Sequence, residues 1–224
     1  MTTRPQKRRL KSLIGLALLP VVCWGAFRWL ETRLIYHPVR SDGAYPALSD
    51  GGWEKVTLRT PEGLALDARF HPPATPGQPV VLVCHGNAGH LGHRVELADT
   101  LLELGLGVLL FDYRGYGASE GRPSEDGLAI DAETAWQWLI DRGVAPTRIL
   151  AMGVSLGGGV AVELATRRPL GGLILVSTFT SIPDVAADIH PWLPGKRLVR
   201  TRFDNRAKLP RLELPLLILH SRQD

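Results

Sequence analysis

The chain has 224 residues, 45% hydrophobic and 21% charged, a balance that suits one ordinary globular core and argues against a disordered chain. Its formal charge of +4 is uneven: seven Arg and Lys against Glu31 precede Leu34, a balance of +6, so the remainder carries −2. A slightly acidic body behind a basic leader argues against a nucleic-acid partner, and two cysteines, Cys23 and Cys84, argue against a disulfide framework or a Cys-based metal site.

The leader reads RPQKRRLKSLIGLALLPVVCWGAFRWLETRLIYHP and is uncharged over residues 12–27. With Lys11 and Arg28 snorkelling, the apolar stretch reaches about 20 residues, enough for a bilayer core of ~30 Å. Basic residues crowd its N-terminal flank. Residues 1–33 are therefore expected to form a single-pass membrane anchor, with the N-terminus in the cytoplasm and the rest of the chain across the membrane. A cleaved signal peptide and a soluble N-terminal helix are the competing readings. Gly, Pro, Ser and Asp then mark residues 34–52 as a linker.

From residue 53 onward, strands and helices alternate. WEKVTLRT and LALDARFHP, joined by a PEG turn, have the alternation of a half-exposed hairpin. PVVLVCH and GVLLFD are continuous apolar runs, the pattern of strands buried on both faces. Helical spacing is expected over 93–104 and over 124–142, the second with Ser124 as N-cap. Strand RILAMGV, helix LGGGVAVELATRR and strand LGGLILVS follow. A Pro-rich stretch over 180–215 leads to the last strand, PLLILH. Such alternation implies a mostly parallel sheet with helices on both faces.

Gly153, Ser155 and Gly157 form G-x-S-x-G between an apolar strand and a helix. That is the setting of a nucleophile elbow, in which a sharp turn presents the serine hydroxyl and the flanking glycines leave room for neighbouring backbone. A second feature, VCHGNAGH, follows the third strand. Its Asn87 N–H, with the Leu156 N–H after the serine, is the expected pair of oxyanion donors. His85, His90 and His93 lack the spacing of a metal site, and no metal or other cofactor is expected. The glycines of LLFDYRGYGASEG do not fit a dinucleotide fingerprint, so Asp112 and Arg114 are read as holding a turn.

Together, HGNAG, DYRGYG.S.G and GxSLGG resemble the α/β-hydrolase superfamily, close to a branch of membrane-anchored serine hydrolases that includes protein depalmitoylases and lysophospholipases. The LIYHP, PWLP and RFDN segments resemble that branch too. The resemblance implies a three-layer α/β sandwich with an eight-stranded, mostly parallel sheet, present incompletely over 53–224, a small cap at about 180–215, and a Ser, Asp, His triad in chain order. Ser155 matches the nucleophile and Asp224 the acid; Asp184 and Asp188 are weaker candidates. His220 matches a structural histidine, and Ser221 stands where the family has glycine. In the cap, Trp192 and Ile189 are candidate lining residues. None of the seven histidines falls late enough to serve as the base, so the resemblance implies the N-terminal part of an enzyme, without its final strand and helix. The expected activity is hydrolysis of esters or thioesters of small or acylated substrates through an acyl-enzyme. A peptidase of the same fold and a catalytically dead interaction protein are the alternatives.

Overall fold

The computed structural model describes residues 4–191 and 198–221. They divide into two compact units, residues 1–36 and 37–224. The first is a single helix, α1 (Arg4–Ile35), with Pro20 in its interior. No helix among the described residues is long and apolar enough to cross a membrane. The uncharged residues 12–27 lie within this helix. Arg28 and Glu31, which pair with each other, and Arg33 follow within the same helix.

In the second unit the chain forms β1 (His37–Pro38), β2 (Glu54–Arg59), β3 (Ala65–His71), β4 (Val80–Cys84), β5 (Ala88–Gly89), α2 (Val95–Glu103) and β6 (Gly107–Phe111). There follow α3 (Glu125–Asp141), β7 (Ile149–Val154), α4 (Leu156–Arg167), β8 (Gly172–Val176), α5 (Ile182–Ile189), a short helix at Asn205–Lys208 and β9 (Leu216–Leu219). Seven strands make one sheet in the order β2-β3-β6-β4-β7-β8-β9. The β2/β3 and β3/β6 pairs are antiparallel, and every pair from β6 to β9 is parallel. The expected hairpin is thus present, and Ser124 caps α3 by accepting the Gly127 N–H.

The order of the strands locates the crevice. From β4 the chain crosses through α2 to β6 on one side, then through α3 past β4 to β7 on the other. Two right-handed crossovers in opposite directions put α2 and α3 on opposite faces of the sheet. The carboxyl ends of β4 and β7 flank this switch point, where open α/β sheets bind ligands.

Each face has its own apolar layer. Val81 and Val83 of β4, Val108 and Leu110 of β6, and Met152 of β7 pack with Ala98 and Leu101 of α2. The intervening Leu82, Leu109 and Ala151 are equally buried and, by strand alternation, face the other helices. Leu128, Ala132, Ala135 and Leu139 of α3 are buried on that side, as their helical spacing predicts. Residues 38–52, read as a linker, are partly packed: Tyr45 and Leu48 join the α2-side core, and His37–Pro38 pair in parallel with Ala88–Gly89. In β9 every residue is about half exposed, from 46% at Leu216 to 52% at Ile218. The cap stretch contains α5 and the Asn205–Lys208 helix, and Ile189 is exposed; Trp192 lies outside the described residues.

Candidate active site

Ser155 occupies the turn from β7 into α4 with φ 51° and ψ −115°. An L-residue there carries strain of about 1–3 kcal/mol, which persists only where the surroundings enforce it. Here they do. The Ser155 N–H donates to Val176 O at 2.9 Å, and Ser155 O accepts from Gly158 N at 2.9 Å. The side chain is partly exposed, and its hydroxyl has no hydrogen-bond partner among the described residues.

The glycines around Ser155 are required by backbone contact. A Cβ on Gly153 would lie 2.4 Å from Gly157 O, and one on Gly157 would lie 1.9 Å from Cys84 O. Further along α4, a Cβ on Gly158 would meet Thr178 Oγ1 at 2.1 Å, and one on Gly159 would meet Phe203 at 2.7 Å. The glycine run therefore lets α4 approach β4 and the segments after β8, despite the helix propensity it sacrifices.

This close approach brings the β4 loop to the serine. A Cβ on Gly86 would be 3.5 Å from Val154 O and 3.7 Å from Ser155 Cβ, so the His85–Gly86–Asn87 backbone runs beside the elbow. Asn87 is partly exposed, while Leu156 is buried and begins α4 with its N–H free of the helical ladder. The structure thus brings Ser155, Leu156 and the Gly86–Asn87 stretch together at the β4/β7 switch point.

The DYRGYG turn holds that loop in place. Tyr113 Oη donates to His85 O at 2.9 Å, and Tyr116 Oη to Asn87 O at 3.1 Å. Asn87 O also accepts the His37 N–H at 3.1 Å. Leu91 N–H donates to Asp112 Oδ1 at 2.7 Å. Arg114 forks onto the buried Asp131, with its Nη2 2.8 Å from Oδ1. Asp112 and Arg114 therefore hold the turn, as expected from sequence. Sequence reasoning missed the two tyrosines, although the DYRGYG string carries both.

The histidines next to this loop have structural partners. His85 is buried, its Nδ1 is 2.7 Å from Gly86 O, and its Nε2 lies 3.4 Å from Asp112 Oδ1. The second contact is a charge-distance approach without hydrogen-bond alignment. His90 and His93 stack with ring centroids 3.9 Å apart, and burial, helped by His93, pulls the His90 pKa below its ordinary value. Among the described residues no His, Cys, Asp and Glu cluster could hold a metal ion. Burial also pushes the Cys84 thiol up to about 12 and raises the Tyr113 and Tyr116 hydroxyls.

Of the acid candidates, Asp224 lies outside the described residues. Asp184 accepts the Thr180 hydroxyl at 2.8 Å in the first turn of α5, and Asp188 is exposed near its end. His220 and Ser221 are exposed after β9. No histidine hydrogen-bonds to Ser155 among the described residues.

Similarity to known proteins agrees with this architecture. The sequence profile of the family described as serine aminopeptidase, S33, matches residues 75–207. An uncharacterized protein of Mycobacterium tuberculosis is 41% identical over 224 residues, covering 97% of this chain and 79% of its own length. The lysophosphatidylserine lipase ABHD12 of Danio rerio is 38% identical over 73% of this chain, which spans about half, 48%, of that relative. The crystal structure of an alpha-beta hydrolase from Vibrio vulnificus superposes with a TM-score of 0.66 at 30% identity, covering 77% of this chain and 65% of the other. From the strand order, the glycine-flanked elbow and these similarities, the chain belongs to the α/β-hydrolase family.

Proposed function

We propose that the protein is a serine hydrolase that cleaves carboxylic esters or thioesters through an acyl-enzyme, with Ser155 as nucleophile. The observation that carries this reading is the left-handed Ser155 at the β7/α4 turn, 3.7 Å from the Cβ position of Gly86 in the facing loop. Ser155 Oγ would attack the substrate carbonyl carbon, and the C=O electron pair would move onto oxygen. The N–H groups of Leu156 and Asn87 would hold that oxyanion, a donor of this kind contributing about 3 kcal/mol of barrier lowering. A histidine oriented by Asp224 would take the serine proton and return it to the leaving group; water would then release the acid by the same steps.

Two similarities bear on the substrate. ABHD12 of Danio rerio is named for a lysophospholipid, which supports a lipophilic acyl ester as the bond cleaved here. The matched profile is described as a serine aminopeptidase, which supports a peptidase as the second reading. A fluorophosphonate probe applied to the full-length protein should label Ser155 and leave Ser155→Ala unlabelled. Parallel assays with acyl esters, acyl thioesters and aminoacyl amides separate the two substrate classes. A folded wild-type protein without label at Ser155 overturns the hydrolase reading.

A further inference from the structure

The RFDN segment, noted in the sequence but given no role in the mechanism, reaches the elbow through a chain of side-chain hydrogen bonds. Phe203, at φ 38°, packs on Gly159 of α4. Asp204 accepts the Ala207 N–H and so caps the Asn205–Lys208 helix. Asn205 is buried, and its Nδ2 donates to Phe179 O at 2.9 Å and lies 3.4 Å from Thr178 Oγ1. Thr178 Oγ1 in turn donates to Ser155 O at 3.0 Å. On the far side of this segment, Lys208 Nζ is 2.5 Å from Glu163 Oε2 of α4.

The acceptor at the end of this chain is the significant atom. Ser155 O belongs to the same planar peptide as the Leu156 N–H, and a trans peptide that is held at its oxygen is also held at its hydrogen. Gly158 N–H gives Ser155 O one bond along the helix. Thr178 gives it a second from outside the helix, which fixes rotation of the peptide plane about the first. Ser177, with φ 45°, turns the chain at the end of β8, and its N–H donates to Leu219 O at 2.8 Å. The close fit of Thr178 against Gly158 shows that α4 is shaped to receive this residue.

We propose that Thr178 and Asn205 are positioning residues for the reaction, aiming the Leu156 N–H at the oxyanion through Ser155 O. This inference rests on Ser155 being the nucleophile. Neither side chain needs to touch substrate. Their effect is confined to steps that place negative charge on the carbonyl oxygen, so substrate binding in the ground state should be nearly unchanged.

The test compares Thr178→Val, which keeps the shape against Gly158 but loses the hydroxyl, with Thr178→Ser, which keeps the hydroxyl. Both are measured in the full-length protein by acyl-ester hydrolysis and by the rate of fluorophosphonate labelling. Thr178→Val should lower kcat and the labelling rate by about 10- to 100-fold with KM changed by no more than about twofold. Thr178→Ser should recover most of both rates. Asn205→Asp, which cannot donate to Thr178 or Phe179 when ionised, should lower the same two rates and offers an independent check if Thr178→Val folds poorly. Labelling of Thr178→Val and Asn205→Asp at the wild-type rate would overturn the positioning role and leave the hydrolase reading standing. Loss of rate in Thr178→Ser equal to that in Thr178→Val would assign the effect to packing and overturn it as well. Wild-type protein that is folded but unlabelled at Ser155 removes the hydrolase reading and this inference together.

Discussion

Gly157 of α4 stands against the last residue of β4 so closely that a Cβ would lie 1.9 Å from the Cys84 carbonyl oxygen. Both partners are backbone, so neither can yield by a rotamer change. Gly157→Ala is expected to cost about 3 kcal/mol or more, read as a lower midpoint in urea unfolding. Gly143→Ala is the control: its φ is +82° but nothing lies within 4 Å, so the loss should be about 1 kcal/mol, from backbone conformation alone. Equal losses at the two sites would contradict the close helix–strand contact.

Acid should loosen the segment that carries Asn205. Burial opposes ionisation of Glu163, but hydrogen bonds from Lys208 and Arg167 outweigh it and hold the carboxyl below its ordinary value of 4.5. A depressed folded pKa contributes stability above the unfolded value, lost as pH falls through the folded one. Stability should therefore decline below about pH 4.5, and Glu163→Gln should be less stable than wild type at neutral pH and show a shallower decline. Urea midpoints at pH 7 and pH 4 measure both. Parallel curves for wild type and variant would remove Glu163 from the account.

The two cysteines should react on different timescales. Cys84 is fully buried in β4 and its thiol is pushed up to about 12, whereas Cys23 is exposed on α1. A thiol-reactive dye at pH 8 should modify one site promptly, and mass mapping should find it at Cys23. Cys84 should react only with opening of the sheet, and so accelerate in urea. Prompt native-state labelling of Cys84 would contradict its burial.

Tyr113 ties the DYRGYG turn to His85 O from a fully buried position. Tyr113→Phe leaves that carbonyl without its side-chain donor, at a cost of about 1–2 kcal/mol in stability. In the proposed mechanism the fluorophosphonate rate at Ser155 should fall too, because the neighbouring peptides of the oxyanion loop are released. A variant with unchanged urea midpoint and unchanged labelling would show that the bond contributes nothing.

Much of this could be read in advance, for local reasons. Period-two and apolar runs placed β2, β3, β4, β6, β7, β8 and β9 within about two residues of their observed ends. Ser124 identified its helix start because a serine side chain satisfies a first-turn N–H without help from elsewhere. One expectation was incomplete for the opposite reason. Gly and Pro in residues 38–52 suggested a linker, yet Tyr45 and Leu48 join the α2-side core, a contact that no local pattern reveals.

The sequence by itself determined the strand–turn–helix grammar and the presence of a serine between two obligatory glycines, because propensity, periodicity and steric need act over a few residues. Only the tertiary structure decided what surrounds that serine. Thr178 reaches Ser155 O across 23 positions, Tyr113 reaches His85 O across 28, and Asn205 reaches Phe179 O across 26. Such contacts depend on strand order and register, in which a shift of one residue turns every side chain to the opposite face.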